Sequence, residues 1–375
     1  MGNFAEIKNK LKSLMSGSTE FVGLDIGSHS VKAVCVSGYE KHFRLKSWGI
    51  SPLAIKPEAD PEEKKFLTSV AIKEMLSKSG INNKYVALSV SGNSVIVRYV
   101  TLPKTDKANL RLVLASEAEP FIPFDIKDVN LSAHIIGDKN EEGQKKMEIV
   151  LVAAKKDLLR NRMDILTAAG LTPLIIDVDA FTLETVYEHL PSFSPADTHG
   201  VLILNIGHRV TNLTILEKGV TRVARDIFIA GNAFNRALIK NMEIENEKAD
   251  ALKRQYGVRA EGAPLDFLAA ATEEDKVHAV TEEVLRDLVS EVKRSVDFYF
   301  SQGADRTIGK VCLAGGGANM KNLPAFLSAE LKVPVEILNP LAVCSASSAE
   351  PVPPELASSL SVAVGLALRK MWDWE

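Results

Sequence analysis

The sequence predicts an α/β protein in which two similar domains face each other across a cleft. The stretch LDIGSHSVKA, residues 24–33, returns as LNIGHRVTNL at residues 204–213, and each copy reads as a strand, a glycine turn and a second strand. More strands and then helices follow each copy. A stretch with its own strand and helix pattern lies between the copies. We therefore expect a repeated core with a small α+β module inserted into its first half.

The first half begins with the strands FVGLDI and VKAVCV on either side of a turn at Gly27. A third strand is expected near Arg44–Ile50. A helix is expected at about Pro61–Ser79, ending at Gly80, because glycine is a common helix stop. After the module, LIIDV predicts a strand and DAFTLETVYEHL predicts a helix.

The inserted module is expected at residues 82–170, in the order strand, strand, helix, strand, strand, helix. Its expected elements are strands at Tyr85–Ser91 and Ser94–Thr101, a helix that follows Pro103 and runs to about Glu119, strands at Val129–Gly137 and Lys146–Ala153, and a helix at Lys156–Ala169. The hydrophilic stretch DKNEEGQ reads as the tip of a hairpin between the last two strands.

The second half repeats the strands and adds helices. Strands are expected at 201–206, 211–217 and 220–226, and a helix at Gly231–Asn241. The next sixty residues read as charged helices, with a break at EGAPL and a long amphipathic helix at Thr281–Ser301. A strand and glycine turn in KVCLAGGGANM, a further helix, and an apolar core helix in SLSVAVGLALRKM complete the pattern.

These elements divide the chain into five parts. They are an N-terminal tail (1–20), a first core subdomain (21–81, 171–199 and 351–375), the inserted module (82–170), a second core subdomain (200–243 and 305–350) and a helical subdomain (244–304). The tail has apolar residues at helical spacing, namely Phe4, Ile7, Leu11 and Leu14. It is either a helix that lies on a membrane surface or a partner, or a terminus that is loose or docks on its own domain.

The composition excludes several classes of function. The formal net charge of -3 gives no strong field that would favour nucleic acid. The three cysteines, Cys35, Cys312 and Cys344, lie far apart, so we expect a reducing compartment and neither a zinc site nor a disulfide framework. No run approaches the roughly 20 apolar residues of a membrane span.

The two glycine turns are suited to phosphate. Glycine lets the backbone approach a ligand, and successive N–H groups can then point at phosphate oxygens. In the first copy, Asp25 at the strand end can hold Mg²⁺ through water, and Lys32 can neutralise charge. The expected ligand contacts are Gly27, Ser28, His29, Ser30 and Lys32 in the first turn, and Asn205, Gly207 and Thr211 in the second.

A third glycine turn, in AGGGANM, follows an apolar strand and precedes a helix. Gly315, Gly316, Gly317 and Ala318 would allow a flat ligand to lie against the backbone at a helix N-terminus. The glycine triplet alone would also fit a tight strand-to-helix turn. The chain has neither the G-x-G-x-x-G spacing of a dinucleotide fold nor the G-x-x-x-x-G-K-[ST] of a P-loop.

The three turns, LDIGSHSVK, LNIGHRVTNLTIL and LAGGGANM, resemble in this order the two phosphate motifs and the adenosine motif of the actin-like ATPase superfamily, which has a ribonuclease H-like fold and includes actin and sugar kinases. Four other stretches, ASEAEPFIPFD, AAGLTPLIIDVDAF, LVSEVKRSVDFYFSQ and VAVGLALR, together resemble the PilM family of type IV pilus assembly proteins, which is similar to FtsA. The resemblance covers about residues 20–372, and it implies that the module is the FtsA-like insertion.

The family resemblance implies a cytoplasmic protein that binds ATP and Mg²⁺ and is peripheral to the inner membrane through a partner. That partner would be PilN, whose short N-terminal cytoplasmic tail the family binds, and the link would extend to the pilus motor and platform proteins. Self-association is open. The groove for the tail is expected between the module and the first domain, and Phe121 and Phe124 are candidates to line it. Simple core packing is the alternative for both phenylalanines.

Two further stretches are similar to nucleotide-binding segments of the superfamily. KADALKRQYG is similar to a helix that touches the adenosine, which implies that Asp250 accepts a ribose hydroxyl and Lys253 lies beside the adenine. AGNAFN is similar to a G-G-N-x-x-T segment on the second phosphate side, which implies a contact at Gly231. Ala230 and Asn235 depart from that pattern.

Asn205 is the departure that bears most on function, because many members of the superfamily carry Asp there. An amide keeps a hydrogen-bond acceptor but loses the negative charge and any general-base capacity. Asp25 and Asn205 are the candidate catalytic residues, and we expect Mg-ATP binding with weak or absent hydrolysis. The protein would then be a nucleotide-stabilised scaffold. The alternatives are an active ATPase or kinase, or an FtsA-like filament-forming protein, which the ending RKMWDWE without a membrane helix disfavours.

Overall fold

The computed structural model describes residues 20–39, 42–56, 58–141, 143–260 and 272–369. The expected tail, apart from residue 20, lies outside the described residues, as do the EGAPL break and residues 370–375. The described strands are β1 (Glu20–Ile26), β2 (Ser30–Tyr39), β3 (His42–Pro52), β4 (Tyr85–Val90), β5 (Val95–Pro103), β6 (Val129–Glu141), β7 (Gln144–Lys155), β8 (Thr172–Val178), β9 (Gly200–Ile206), β10 (Thr211–Glu217), β11 (Val220–Ile227), β12 (Ile308–Ala314), β13 (Val335–Ile337) and β14 (Cys344–Ser347). The described α-helices are α1 (Pro61–Lys78), α2 (Lys107–Ala118), α3 (Lys156–Ala169), α4 (Asp179–His189), α5 (Gly231–Met242), α6 (Asn246–Tyr256), α7 (Glu273–Ser301), α8 (Leu323–Leu331), α9 (Pro354–Ala357) and α10 (Ser361–Leu368).

These strands form three sheets. The first has the order β14-β3-β2-β1-β4-β8 and the second has the order β11-β10-β9-β12-β13. In each, three antiparallel strands that follow one another in the chain are extended on one side by two parallel strands, and in the first sheet β14 adds a further parallel strand beside β3. The repeat of the glycine turns is therefore a repeat of the sheet topology. The third sheet, β5-β7-β6, is antiparallel and belongs to the inserted module.

The central core lies between the first two sheets. One apolar cluster joins Val34 of the first sheet, Ile203 of the second and Leu183 of α4 with residues of α10. All residues of α10 are buried, so this helix is apolar on every side, as expected for a helix inside a protein. Glycine permits its close contact with β1, because a Cβ at Gly23 would lie 2.0 Å from the carbonyl oxygen of Ala363.

Two strands lie in a different sheet from the one expected from the sequence. β4, which we placed in the module, pairs in parallel with β1 and β8 of the first sheet. Its residues from Val86 to Val90 are all buried, which suits a central parallel strand covered on both faces. β14, which we placed with the second core subdomain, pairs with β3 at the edge of the first sheet.

The long charged helix starts earlier than its amphipathic pattern indicated. α7 begins at Glu273 and not at Thr281. Thr272 and Asp275 form a capping box. The backbone N–H of Asp275 donates to the Thr272 hydroxyl, and the backbone N–H of Thr272 donates to the Asp275 carboxylate. This cap satisfies N–H groups that would otherwise be unpaired at the helix start.

The inserted module packs on both core domains. Its own apolar core includes Val100, Ile149 and Leu151 of the three-stranded sheet. Arg222 of β11 donates to Glu148 of β7 at 3.0 Å, so the module also contacts the second domain. None of the helices described here combines the length and the apolar character needed to cross a membrane.

Candidate functional site

The first glycine turn joins β1 to β2 at the cleft. The N–H of Gly27 donates to the carbonyl oxygen of Ser30 at 3.1 Å, and a Cβ at Gly27 would lie 2.9 Å from that oxygen. Asp25 and Lys32 are cross-strand partners, and their charged groups meet at 2.8 Å with about 15% of each side chain exposed. The side chains of Ser28 and His29 are exposed. Lys32 therefore points to the same side of the sheet as Asp25.

The second glycine turn repeats this geometry. The N–H of Gly207 donates to the carbonyl oxygen of Val210 at 3.0 Å. The turn is fastened to the start of α5, since the N–H of Gly231 donates to Gly207 at 3.0 Å and the N–H of Asn232 donates to His208 at 2.7 Å. The hydroxyl of Thr211 donates to the backbone, to the carbonyl oxygen of Ile229 at 2.7 Å.

The two turns meet through a pair of histidines. The ring centroids of His29 and His208 are 5.1 Å apart, with the rings tilted by 34°. Partial desolvation in the cleft lowers the pKa of both rings, and together with the repulsion that a proton on His29 would exert it lowers the pKa of His208 to about 4. The pair is therefore neutral near pH 7, and the two phosphate-type turns lie within one side-chain contact of each other.

The third glycine turn packs against the end of β9, where the second turn begins. Gly315 has a φ of +81°, and a Cβ there would lie 2.5 Å from the carbonyl oxygen of Ile206 and 2.6 Å from Oδ1 of Asn205. A Cβ at Gly317 would lie 2.4 Å from a side-chain methyl of Ile206, whereas a Cβ at Gly316 would meet nothing within 4 Å. Ala318 is fully buried. Two glycines thus allow the close approach, and Gly316 leaves open space beside it.

The expected adenosine pair lies next to the second turn. Lys253 donates to Asp250 at 2.7 Å, to Oδ1 of Asn235 at 2.6 Å and to the carbonyl oxygen of Gly231 at 3.4 Å. Burial raises the pKa of Asp250, but the hydrogen bonds and charges of Lys253 and Arg254 outweigh it and lower the pKa to about 2. Asn235, one of the departures noted in the sequence, is thus an acceptor for Lys253.

Two charged residues of the cleft were missed in the sequence. Asp179, at the start of α4, accepts from the hydroxyl of Ser89 at 2.5 Å. Burial, reinforced by the negative charge of Asp25, raises its pKa to about 6. Arg162 of α3 interacts electrostatically with both carboxylates, and its Nε is buried without a hydrogen-bond partner. A carboxylate directly after a buried parallel strand, as in LIIDVDAF, was the signal for Asp179.

The residues of this cleft fit a magnesium nucleotide. Gly316 leaves open space beside the third turn, Lys32 and the partly unpaired Arg162 supply positive charge, and Asp25 supplies a carboxylate. Within the described residues, no group of three or more His, Cys, Asp or Glu could hold a metal ion. Mg²⁺ would therefore be held by nucleotide phosphates and waters, with Asp25 as an outer contact, which is its usual manner of binding. The bound Mg²⁺ would neutralise part of the negative charge of the phosphates.

We expect Asp179→Asn to raise the free energy of unfolding at pH 7 by about 1–2 kcal/mol. The folded protein keeps a proton on Asp179 up to a pH of about 6, whereas an unfolded aspartate releases it near pH 4. Stability is therefore lost as the pH rises from about 4 to about 6, and the amide removes this loss. Urea unfolding at several pH values measures the effect, and an unchanged pH dependence in the variant would contradict it.

Two domains that repeat one sheet topology, each with a phosphate-type turn at the same place, define an actin-like fold. The chain belongs to the family of the Type IV pilus assembly protein PilM, which matches residues 23–371. A solved structure of the PilM-PilN type IV pilus biogenesis complex is similar, with 24% identity over 93% of this chain and 97% of that chain and a TM-score of 0.77.

More distant structures share the fold. MreB5 of Spiroplasma citri bound to ADP matches with 14% identity over 93% of this chain and 95% of that chain, at a TM-score of 0.51. A glycerol dehydratase reactivase matches with 12% identity over 93% of this chain and 99% of that chain, at a TM-score of 0.53. The expected two-domain actin-like fold and the expected family are both confirmed.

Proposed function

We propose that the protein is an ATP-binding scaffold of the type IV pilus assembly machine that works on the cytoplasmic side of the inner membrane. It would bind the N-terminal cytoplasmic tail of PilN and, through it, connect to the motor and platform proteins. One observation carries the nucleotide part of the proposal: the turns at Gly27 and Gly207 face each other across the cleft, with the His29 and His208 rings 5.1 Å apart. Membership of the pilus assembly family and the likeness to the PilM-PilN complex support the partner.

Each part of the nucleotide has a proposed set of contacts. Backbone N–H groups of both turns and the hydroxyls of Ser28 and Ser30 would hold phosphates, because oriented donors form anion sites. Thr211 was also expected at the phosphates, but it is fully buried and its hydroxyl donates to Ile229, so it would support the turn from behind. Lys32 and Arg162 would balance the phosphate charge. The glycines of the third turn would lie beside the adenosine, with Asp250 at the ribose and Lys253 near the base.

Weak hydrolysis follows from the groups next to the phosphates. An efficient ATPase needs a residue that positions or deprotonates the attacking water. The amide of Asn205 cannot take a proton, and its Nδ2 already donates a hydrogen bond to Oδ1 of Asn212 at 2.8 Å. Asp25 is held in an ion pair with Lys32. Binding of ATP with Mg²⁺ would therefore stabilise the closed cleft more than it would lead to turnover.

We expect the purified protein to bind ATP with Mg²⁺ in isothermal titration calorimetry and to release little phosphate. Asp25→Asn should weaken Mg²⁺-dependent binding at least about tenfold, or roughly 1.4 kcal/mol, because it removes the carboxylate beside the phosphates. Asp164→Asn is the matched control, since Asp164 is an exposed aspartate in a surface ion pair with Lys65. Rapid turnover that is lost in Asp25→Asn would refute the weak-hydrolysis part.

The partner surface is proposed on the inserted module. Phe121 is 38% exposed and lies next to α2, whose Leu112 and Val113 are also exposed. Phe124 packs against the module core and has the Nζ of Lys155 4.4 Å from its ring centroid. Of the two phenylalanines expected to line the groove, Phe121 is therefore the better placed to meet a partner.

We expect a synthetic peptide of the PilN N-terminal tail to bind the protein with 1:1 stoichiometry. Phe121→Ala should lower the affinity for the peptide about tenfold through loss of apolar contact, which corresponds to roughly 1.4 kcal/mol. Phe298→Ala is the control, because Phe298 is an exposed phenylalanine, 56%, on α7 of the second domain. Calorimetry on the folded protein that shows no peptide binding at all would count against the scaffold.

Asp179 favours one alternative, an active ATPase. Its raised pKa of about 6 and its place beside Asp25 give it the properties of a general base that Asn205 lacks. Fast phosphate release by the native protein that disappears in Asp179→Asn would favour this alternative over the scaffold with weak hydrolysis.

A further inference from the structure

Three polar side chains lie side by side on one rung of the second sheet. Asn212 of β10 is the register partner of Asn205 on β9 and of Asp226 on β11. Nδ2 of Asn205 donates to Oδ1 of Asn212 at 2.8 Å, and Nδ2 of Asn212 donates to Oδ1 of Asp226 at 2.7 Å. Oδ2 of Asp226 accepts the backbone N–H of Gly92. Asn205 and Asn212 are 8% and 4% exposed, so water does not compete for these bonds.

The rung has a direction, and Asp226 sets it. A carboxylate can only accept, whereas an amide donates at one end and accepts at the other. Asp226 therefore requires Asn212 to present its Nδ2, which leaves Oδ1 of Asn212 to face Asn205. Asn205 must in turn present its own Nδ2 and keep its Oδ1 on the other side. That oxygen lies beside the third glycine turn, 2.6 Å from where a Cβ at Gly315 would stand.

The other end of the rung is the base of the inserted module. Gly92, with a φ of +89°, lies between β4 of the first sheet and β5 of the module sheet. Its N–H is fixed by Asp226 of the second domain. The hydrogen-bonded chain therefore runs from the end of β9, where the second glycine turn starts, to the point where the chain enters the module.

We propose that Asn205, Asn212 and Asp226 form a directional hydrogen-bond relay that positions the second phosphate turn relative to the base of the module. Asn212 and Asp226 are positioning residues in this relay. This part of the proposal rests on the proposed nucleotide site. The relay transmits the effect of ATP binding to Gly92, and so to the module that would hold the partner peptide.

The relay also gives a reason for the amide at position 205. A carboxylate there would face Oδ1 of Asn212, because Asp226 already claims the only donor group of that side chain. Two buried acceptors would then oppose each other without a proton between them, which is strongly unfavourable. The negative charge of the rung is at Asp226, and a carboxylate at that position requires a hydrogen-bond donor at position 205, which Asn supplies.

Reversing the relay is the test. In the double variant Asn205→Asp with Asp226→Asn, the amide introduced at 226 can donate to Oδ1 of Asn212 and accept from Gly92. Asn212 can then donate to the carboxylate introduced at 205. Every hydrogen bond and the net charge are kept, with the direction reversed. Asn205→Asp alone, in contrast, leaves two carboxylates for one donor.

Thermal unfolding without nucleotide tests the relay by itself. We expect Asn205→Asp to lower the midpoint by about 4–8 °C, which is roughly 2 kcal/mol converted at about 2–4 °C per kcal/mol. The double variant should recover most of that loss. Asn140→Asp, an exposed control on β6 that also adds one charge, should change little. If Asn205→Asp does not fold at all and the double variant does, the rescue is still shown. Losses that simply add in the double variant overturn the relay.

Nucleotide experiments test the coupling to the site. In the single variant Asp226→Asn, the hydrogen bonds can be kept if the side-chain amides of Asn205 and Asn212 both rotate by about 180°. Nδ2 of Asn205 then faces the third glycine turn. We expect this variant to stay folded but to bind ATP with Mg²⁺ at least about tenfold more weakly, and Asn212→Leu, which cuts the relay, to do the same. ATP should slow hydrogen exchange at the Gly92 N–H in the native protein and not in Asn212→Leu. Equal slowing in both overturns the coupling. If the native protein binds no ATP, the proposed function fails while the thermal unfolding result still decides the relay.

Discussion

Gly315→Ala is expected to abolish measurable ATP binding and to lower the free energy of unfolding by about 3 kcal/mol. The positive φ of Gly315 is costly for any residue with a Cβ, and this Cβ would lie 2.5 Å from the carbonyl oxygen of Ile206. Since that contact is with backbone, no side chain can rotate away to relieve it. The third turn must move off the end of β9, and the proposed adenosine contacts move with it.

Gly316→Ala is the matched control for this prediction. It adds the same methyl group one residue later, where nothing lies within 4 Å and φ is not in the left-handed region. We expect its thermal midpoint to stay close to that of the native protein, as measured by circular dichroism. Its ATP affinity can fall if the ligand occupies that open space. Equal stabilities of the two variants would contradict the assigned role of Gly315.

Gly23→Ala is expected to destabilise the first domain by about 3 kcal/mol or more. The added Cβ would lie 2.0 Å from the carbonyl oxygen of Ala363, 2.6 Å from the nitrogen of Ala367 and 2.8 Å from Cβ of Leu366. Alanine reduces the entropy of the unfolded chain, which offsets roughly 0.4–1 kcal/mol. The overlap with α10 is the larger effect, because a whole buried helix must shift to relieve it.

Urea unfolding followed by fluorescence measures this loss, and Gly137→Ala is its control. Gly137 is also a strand glycine, on β6, but a Cβ there would meet nothing within 4 Å. We expect the control to lose no stability and to gain at most roughly 0.4–1 kcal/mol, because the same entropy term acts there without a clash. A native-like midpoint for Gly23→Ala would mean that β1 and α10 can separate enough to admit a methyl group.

The features that could be predicted from the sequence are those written in local patterns. The two glycine turns, the apolar strands around them and the glycine loop at Gly315 are each visible within about ten residues. Their repetition is what predicted two similar domains, and the repeated sheet order bears this out. Helix α4 and the apolar α10 were visible for the same reason.

The features that could not be predicted depend on which distant segments pair. A buried run such as β4 fits a module strand and a central parallel strand equally well, and only its pairing with β8, across about ninety residues of chain, decides between them. Arg162 was not among the expected site residues, because its place near Asp25 depends on how α3 packs. In the sequence, Asn205 was interpreted as the loss of a negative charge. Asp226, which carries the negative charge of the same rung, lies two strands away in the sheet.

The contact of β1 with α10 also has a consequence for how the protein is made. Gly23 and Ala363 are separated by about 340 residues, so the face of β1 that packs on α10 stays uncovered by that helix until α10 has been synthesised. At about 5–20 residues per second, translation leaves that face open for roughly 20–70 seconds. Contacts of such long sequence separation also form slowly once the chain is complete. The nascent first domain is therefore a natural client for chaperones that shield apolar strands.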